Sequence, residues 1–219
     1  PAFDTSSAEG LIPVNPGDEG KPIYIPRFIG NILKQHQIEG IQFMWKHIVM
    51  FAKSGGAEHG CVLAHSMGLG KTLQVIAFIY TLMSEVTKKN SAIPASFKSK
   101  RVLVICPATI QSNWCDEFRL WFRDHVKEAS RVFPQVYNFS KAKRTMPHRL
   151  ALLQQWFEYG GVMVMSYQAF RSLADYAPSG CSAASSTNVS SQILKYLIDP
   201  GPCLVIADEG HNIKNAKAR

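Results

Sequence analysis

The residues of this chain best equipped for chemistry are Lys71 and Thr72, which follow a glycine-rich turn. The run His65-Ser66-Met67-Gly68-Leu69-Gly70-Lys71-Thr72 comes after a short apolar stretch, CVLA at 61–64. It precedes residues 71–84, whose apolar side chains recur at helical spacing. Strand, glycine turn and helix together make the setting of a phosphate-binding loop. Glycines let backbone N–H groups turn inward around phosphate oxygens, and a helix N-terminus adds unpaired donors and its dipole. Lys71 then reaches the terminal phosphates as a point charge, and the Thr72 hydroxyl suits a Mg²⁺ ion. The usual G-x-x-x-x-G-K-[ST] pattern is altered at its first position, where His65 stands for glycine. Because G-K-[ST] alone is easily met by composition, Gly68 and the flanking elements carry the reading.

The second chemical feature is Asp208-Glu209-Gly210-His211, which closes the apolar run CLVIA at 203–207. Ligands of open α/β sheets bind at the carboxyl ends of strands, so Lys71 and Asp208 are expected at one edge. In that arrangement Asp208 holds Mg²⁺ and Glu209 orients and deprotonates the attacking water. Taken alone, the two acids are equally a solvated strand end.

Several elements must position these groups. Residues 28–53 carry Ile38, Ile41, Met44, Trp45 and Ile48 at helical spacing, predicting one or two helices, and 54–60 is a loop. RVLVIC (101–106), QVYNF (135–139), VMVMSY (162–167) and CLVIADE (203–209) read as strands, with helices near 111–126, 146–158 and 190–198. The apolar runs are continuous, as in strands covered on both faces, and alternate with helices, so the sheet is mostly parallel. Residues 1–27, with Pro13, Pro16, Pro22 and Pro26, read as a flexible leader that packs little. Flexible insertions are expected near 85–100 and 174–191, the latter Ser/Ala-rich.

Bulk properties narrow the function classes. The 219 residues suit one ordinary domain, and 46 % hydrophobic with 18 % charged residues is a globular balance. A net charge of +8 favours an anionic partner without specifying one. The five cysteines form no C-x-x-C pair, and no His spacing completes a zinc set. Cys61, Cys106 and Cys203 lie in or beside apolar runs and read as small core residues. Scattered thiols fit a reducing compartment. No apolar run is long enough to span a bilayer, so no membrane is expected as a partner.

HSMGLGKT together with DEGH resembles motifs I and II of the Swi/Snf (sucrose non-fermenting) family in helicase superfamily two. LKQHQIEGIQFMW (33–45) is similar to that family's glutamine motif, CPATIQSNWCDEF (106–118) to motif Ia and VMVMSYQAFR (162–171) to motif Ib. Order and spacing agree over about residues 30–219. His65 and the wording LAHSMGLGKTLQV resemble the alpha-thalassaemia/X-linked-remodeller and androgen-receptor-interacting branch.

The resemblance implies a P-loop NTPase fold: an α/β, RecA-like, three-layer α/β/α first lobe over 28–219 that binds ATP. It implies ATP and Mg²⁺ as cofactors, double-stranded DNA and nucleosomes as partners, and the nucleus as location. The loop residues His65, Ser66, Met67, Gly68, Leu69, Gly70, Lys71 and Thr72 would hold nucleotide. Thr72 and Asp208 would hold metal, and Lys71, Asp208 and Glu209 would be catalytic. Gln37 would read adenine, as a carboxamide can pair with N6 and N7; its exposed-face alternative is an ordinary surface polar residue. Thr109, Ser112 and Asn113, with Gln111 beside them, would meet DNA phosphates at a helix N-terminus, as would Ser166 and Arg171. Thr109 or Ser112 could instead simply cap the helix. Trp114 and Phe118 read as core, and Lys141, Lys143, Arg144 and Arg149 as a solvated face.

The chain opens on Pro1 and closes at Arg219 soon after DEGH. A fragment is therefore expected, lacking the second RecA-like lobe and its arginines. Such a piece would bind ATP·Mg²⁺ weakly and turn it over very slowly, since an arginine finger is worth about 10³–10⁵ in rate. The full parent would be a DNA-dependent ATPase and duplex translocase acting in chromatin remodelling or DNA repair. The alternatives are a nucleotide- or DNA-binding module without turnover, or an RNA or single-strand helicase of the same superfamily.

Overall fold

The computed structural model describes residues 10–16, 21–55, 60–64, 66, 68–88, 91–132, 135–175 and 188–210. It divides into two compact units, Pro1–Ala95 and Ser96–Arg219.

In the first unit, a bridge pairs Pro13 with Tyr24, and Val14 N–H donates to Ile23 O at 2.8 Å. Val14 and Ile25 are buried, so the described part of the expected leader does pack. The apolar residues between its prolines find a core. Helix α1 (Arg27–Gly30) leads to α2 (Gln35–Met44), which runs on through a π-helical stretch (Trp45–Met50) into α3 (Phe51–Lys53). The Gln42 amide donates to Pro13 O at 2.8 Å, fastening the leader to α2. Helix α4 (Lys71–Thr87) has every residue from Leu73 to Met83 buried. Such a helix, apolar on all sides, is a core helix rather than an amphipathic one.

The strand expected at 61–64 is not formed. A strand exists through its ladder of backbone partners, and four residues beside Gly60 make none here; Val62 is 82 % exposed. The solvated insertion expected at 85–100 is also only partly so. Helix α4 extends to Thr87, and Ile93 and Phe97 are buried, Phe97 within a 3₁₀ turn (Ala95–Ser99). The other expected insertion, 174–191, falls mostly outside the described residues.

The second unit is built on β1 (Arg101–Cys106), α5 (Gln111–Phe122), α6 (Val126–Val132), β2 (Val136–Asn138), α7 (Met146–Tyr159), β3 (Gly161–Ser166), α8 (Tyr167–Ala174), α9 (Asn188–Leu197) and β4 (Leu204–Ala207). The strands form one sheet in the order β2-β3-β1-β4, and every pairing is parallel. Leu103, Ile105, Met163 and Met165 face a core made with Leu153, Trp156, Leu173, Ile193 and Leu197 from α7, α8 and α9. The alternate residues Val102, Val104, Val162 and Val164 are equally buried, so β1 and β3 are covered on both faces, as their continuous apolar runs predict. Edge strand β4 departs from this, with Val205 half exposed. This is the expected α/β, RecA-like arrangement of parallel strands and flanking helices.

Candidate nucleotide and nucleic-acid site

The glycine loop enters α4 through two left-handed residues, Gly68 at φ +82° and Gly70 at φ +70°. At Gly70 glycine is required twice over: L-residues disfavour this φ, and a Cβ would run into the Gln37 amide nitrogen. No side-chain cap bond closes the N-terminus of α4, and a helix start is where an anion is favoured. The Lys71 ammonium donates to Ser66 O at 3.1 Å, folding back over the loop. Open space beside Gly68, a lysine over the turn and an uncapped helix start fit a polyphosphate. His65 and Met67 lie outside the described residues, as does His211.

Three side chains converge on one loop carbonyl, Leu69 O. Gln37 donates at 3.3 Å, Gln74 at 3.2 Å, and a His36 ring nitrogen lies 3.3 Å away. Gln37 Oε1 also accepts from Lys34 N–H at 2.9 Å, closing the start of α2. Gln37 is thus buried and bonded at both ends of its carboxamide, not a polar residue on an exposed face. Gln74 was not foreseen. Its signal was present, as the lone amide within the apolar run LQVIAFI, because a fully buried polar group must have a partner.

At the other feature, Asp208 follows β4 directly, and its N–H donates to Ile105 O at 2.8 Å. Asp208 therefore stands at the carboxyl end of the parallel sheet, the end from which α5 and α8 also start. Its Oδ2 accepts the Trp114 indole N–H at 2.8 Å and its Oδ1 accepts Glu209 N–H at 2.9 Å. Its backbone carbonyl accepts the Tyr167 hydroxyl at 2.7 Å. Each carboxylate oxygen keeps a further lone pair, which suits a hard cation. Glu209 adopts φ +55°, a left-handed turn that non-glycine residues rarely take and that gathers at functional sites. Burial, then the nearby Asp208, Cys106 and Glu209, push the Tyr167 phenol above its ordinary pKa, so it stays a donor.

Thr109, Ser112 and Asn113 are exposed around the start of α5, and no side chain caps that helix, so neither hydroxyl serves as a cap. Gln111 is different. It is buried, donating to Val164 O at 2.9 Å and Asn138 Oδ1 at 3.3 Å, and is a structural residue. Ser166 is likewise buried, and its Oγ accepts Ala169 N–H at 3.1 Å. The structure gives Ser166 the N-cap of α8, because the strand ends just where the helix needs that acceptor. Arg171, Lys141, Lys143 and Arg144 are exposed, while Arg149 lies over the Phe139 ring at 5.5 Å. Trp114 and Phe118 are core residues as expected, with ring centroids 6.3 Å apart.

A parallel sheet flanked by helices, with an acidic pair at its carboxyl edge, and a separate glycine turn opening a buried helix define a RecA-like α/β domain. The chain belongs to the SNF2-related domain family, which it matches over residues 36–219. It is 36 % identical over 217 residues to the Transcriptional regulator ATRX homolog of Drosophila melanogaster, covering 98 % of this chain and 14 % of that protein. It is 38 % identical over 199 residues to Protein CHROMATIN REMODELING 20 of Arabidopsis thaliana (90 % and 12 %). It is 32 % identical over 238 residues to Helicase ARIP4 of Homo sapiens (95 % and 15 %). These relatives place it in the branch to which the wording LAHSMGLGKTLQV pointed. The chain spans about a seventh or less of the length of these three relatives.

Proposed function

We propose that this chain is the ATP-binding lobe of a nuclear, DNA-dependent ATPase that translocates on double-stranded DNA in chromatin remodelling or repair. The observation that carries the reading is the uncapped, glycine-turned start of α4 with Lys71 over it, in a member of this family. The loop from His65 to Thr72 takes the triphosphate, Lys71 neutralising its terminal charge. Thr72 and Asp208 are the residues assigned to Mg²⁺, and Glu209 to the attacking water, whose proton it accepts. Gln37 takes adenine with its second amide hydrogen and its second oxygen lone pair, keeping Lys34 N–H and Leu69 O. Bound Mg²⁺·ATP supplies the phosphoryl bond and the charge that weakens it. Thr109, Ser112, Asn113 and Arg171 are the duplex contacts, and nucleosomes and a second RecA-like lobe are the macromolecular partners.

In the full-length protein, duplex DNA should stimulate ATP hydrolysis, and Lys71→Ala should lower the stimulated rate by at least about 10²-fold, as expected for loss of a preorganised charge. Hydrolysis indifferent to every nucleic acid rejects the motor reading. Strand separation without translocation on duplex would favour a helicase instead.

A further inference from the structure

The three other indole nitrogens of this chain differ from Trp114 in reach or in kind of partner. Trp121 bonds Glu117 on its own helix at 2.7 Å, and Trp156 bonds a nearby backbone carbonyl, Gly161 O, at 3.0 Å. Trp45 is buried, with its ring edge-on to Phe78. Trp114 instead reaches across 94 positions of sequence to a carboxylate at the end of β4. Its ring is 4 % exposed and set against Phe118, so the N–H has one direction. Glu209 N–H holds the other carboxylate oxygen, and the Tyr167 hydroxyl holds the carbonyl behind it. The Asp208 carboxylate is therefore held by one donor on each oxygen, and its backbone carbonyl by a third.

We propose that Trp114 is a positioning residue: its indole N–H orients the Asp208 carboxylate so that the remaining lone pairs are presented to the divalent cation of the bound nucleotide. This rests on the assignment of Asp208 to the metal. An unheld carboxylate has to give up rotational freedom when the cation arrives, whereas this one has already done so. Partners of this kind around a metal ligand typically alter metal affinity by about 10–100-fold.

The test uses the full-length protein with a non-hydrolysable ATP analogue and Mn²⁺ followed by electron paramagnetic resonance. Two changes at Trp114 are compared: Trp114→Phe, and replacement by 3-benzothienylalanine, which keeps the ring shape but puts sulfur where the N–H was. Both should weaken Mn²⁺ binding by about 10-fold or more while leaving affinity for the metal-free analogue unchanged. In ¹⁵N-tryptophan-labelled wild type, the Trp114 indole resonance should shift on addition of Mg²⁺ to the nucleotide complex and not on addition of nucleotide alone. If wild type binds the metal and both altered chains match it, the proposal is overturned while Asp208 keeps its assignment. If only Trp114→Phe weakens the metal, ring shape rather than the N–H matters, and the proposal is again overturned. A wild type that takes nucleotide but no metal rejects the Asp208 assignment and this proposal together.

Discussion

Replacing Gly70 with alanine would strike the phosphate loop at its tightest point. The substitution meets two penalties. Holding an L-residue at φ +70° costs about 1–2 kcal/mol. The new methyl also occupies the space of the Gln37 amide nitrogen, which must leave Leu69 O, forfeiting a hydrogen bond of about 1 kcal/mol. The loop escapes both penalties by abandoning this conformation, and nucleotide binding then has to restore it. At 1.4 kcal/mol per decade, the combined 2–3 kcal/mol predicts about 30- to 150-fold weaker ATP binding. The measurement is titration with a fluorescent ATP analogue, on the single variants Gly70→Ala and Gln37→Ala and on the double variant. With Gln37 trimmed, the clash is gone and only the backbone penalty remains. Gly70→Ala should then cost about 5- to 30-fold relative to Gln37→Ala. Equal penalties in the two backgrounds would refute the Gln37–Gly70 contact, and undiminished binding by Gly70→Ala would refute the loop geometry as a whole.

Other perturbations test the frame around the site. Trp156→Ala removes a fully buried ring and its bond to Gly161 O, and should cost about 3–5 kcal/mol in urea unfolding of the second unit. Ser166→Ala deletes the cap of α8 and should cost about 1 kcal/mol of stability, with duplex stimulation of hydrolysis retained. Cys106 and Cys115 are buried, and burial pushes both thiols up, Cys106 to about 12 with help from Asp208 and Cys115. Mass-spectrometric mapping of alkylation at neutral pH should find the half-buried Cys61 modified well before either. The same shifts fix a sign: these thiols are neutral in both states below pH 9, but above it the unfolded chain ionises first. Stability should therefore fall as pH rises from 9 towards 12, and a melting temperature that climbs over that range would contradict the burial.

Much of this arrangement is legible in the residues alone. The runs RVLVIC and VMVMSY are strands because continuous apolar residues pay off only when both faces are covered, and both faces of β1 and β3 are. The acidic pair sits at the carboxyl end of a parallel sheet, as the chain order of its motifs requires. What was not legible depends on partners far away in sequence. Residues 61–64 have the composition of a strand, but a ladder is a property of two segments, and composition names only one. Gln111 looks like a polar residue beside phosphate-binding neighbours; its burial depends on Val164 and Asn138, which periodicity does not place. Trp114 could be assigned to the core from its spacing with Phe118, yet the direction of its N–H follows only from where β4 ends.

The π-helical stretch Trp45–Met50 has one further consequence. A wider turn holds one more residue than an α-helical turn does, so a wheel drawn at 3.6 residues per turn loses its phase there. Ile48 continues the apolar series begun at Ile38, yet Val49 is the residue that is buried, at 2 % exposure. Relatives one residue shorter between Met44 and Phe51 could pack the same surfaces with an unbroken α-helix. A gap of that length in an alignment would mark a change of winding, with the contacts on either side left where they are.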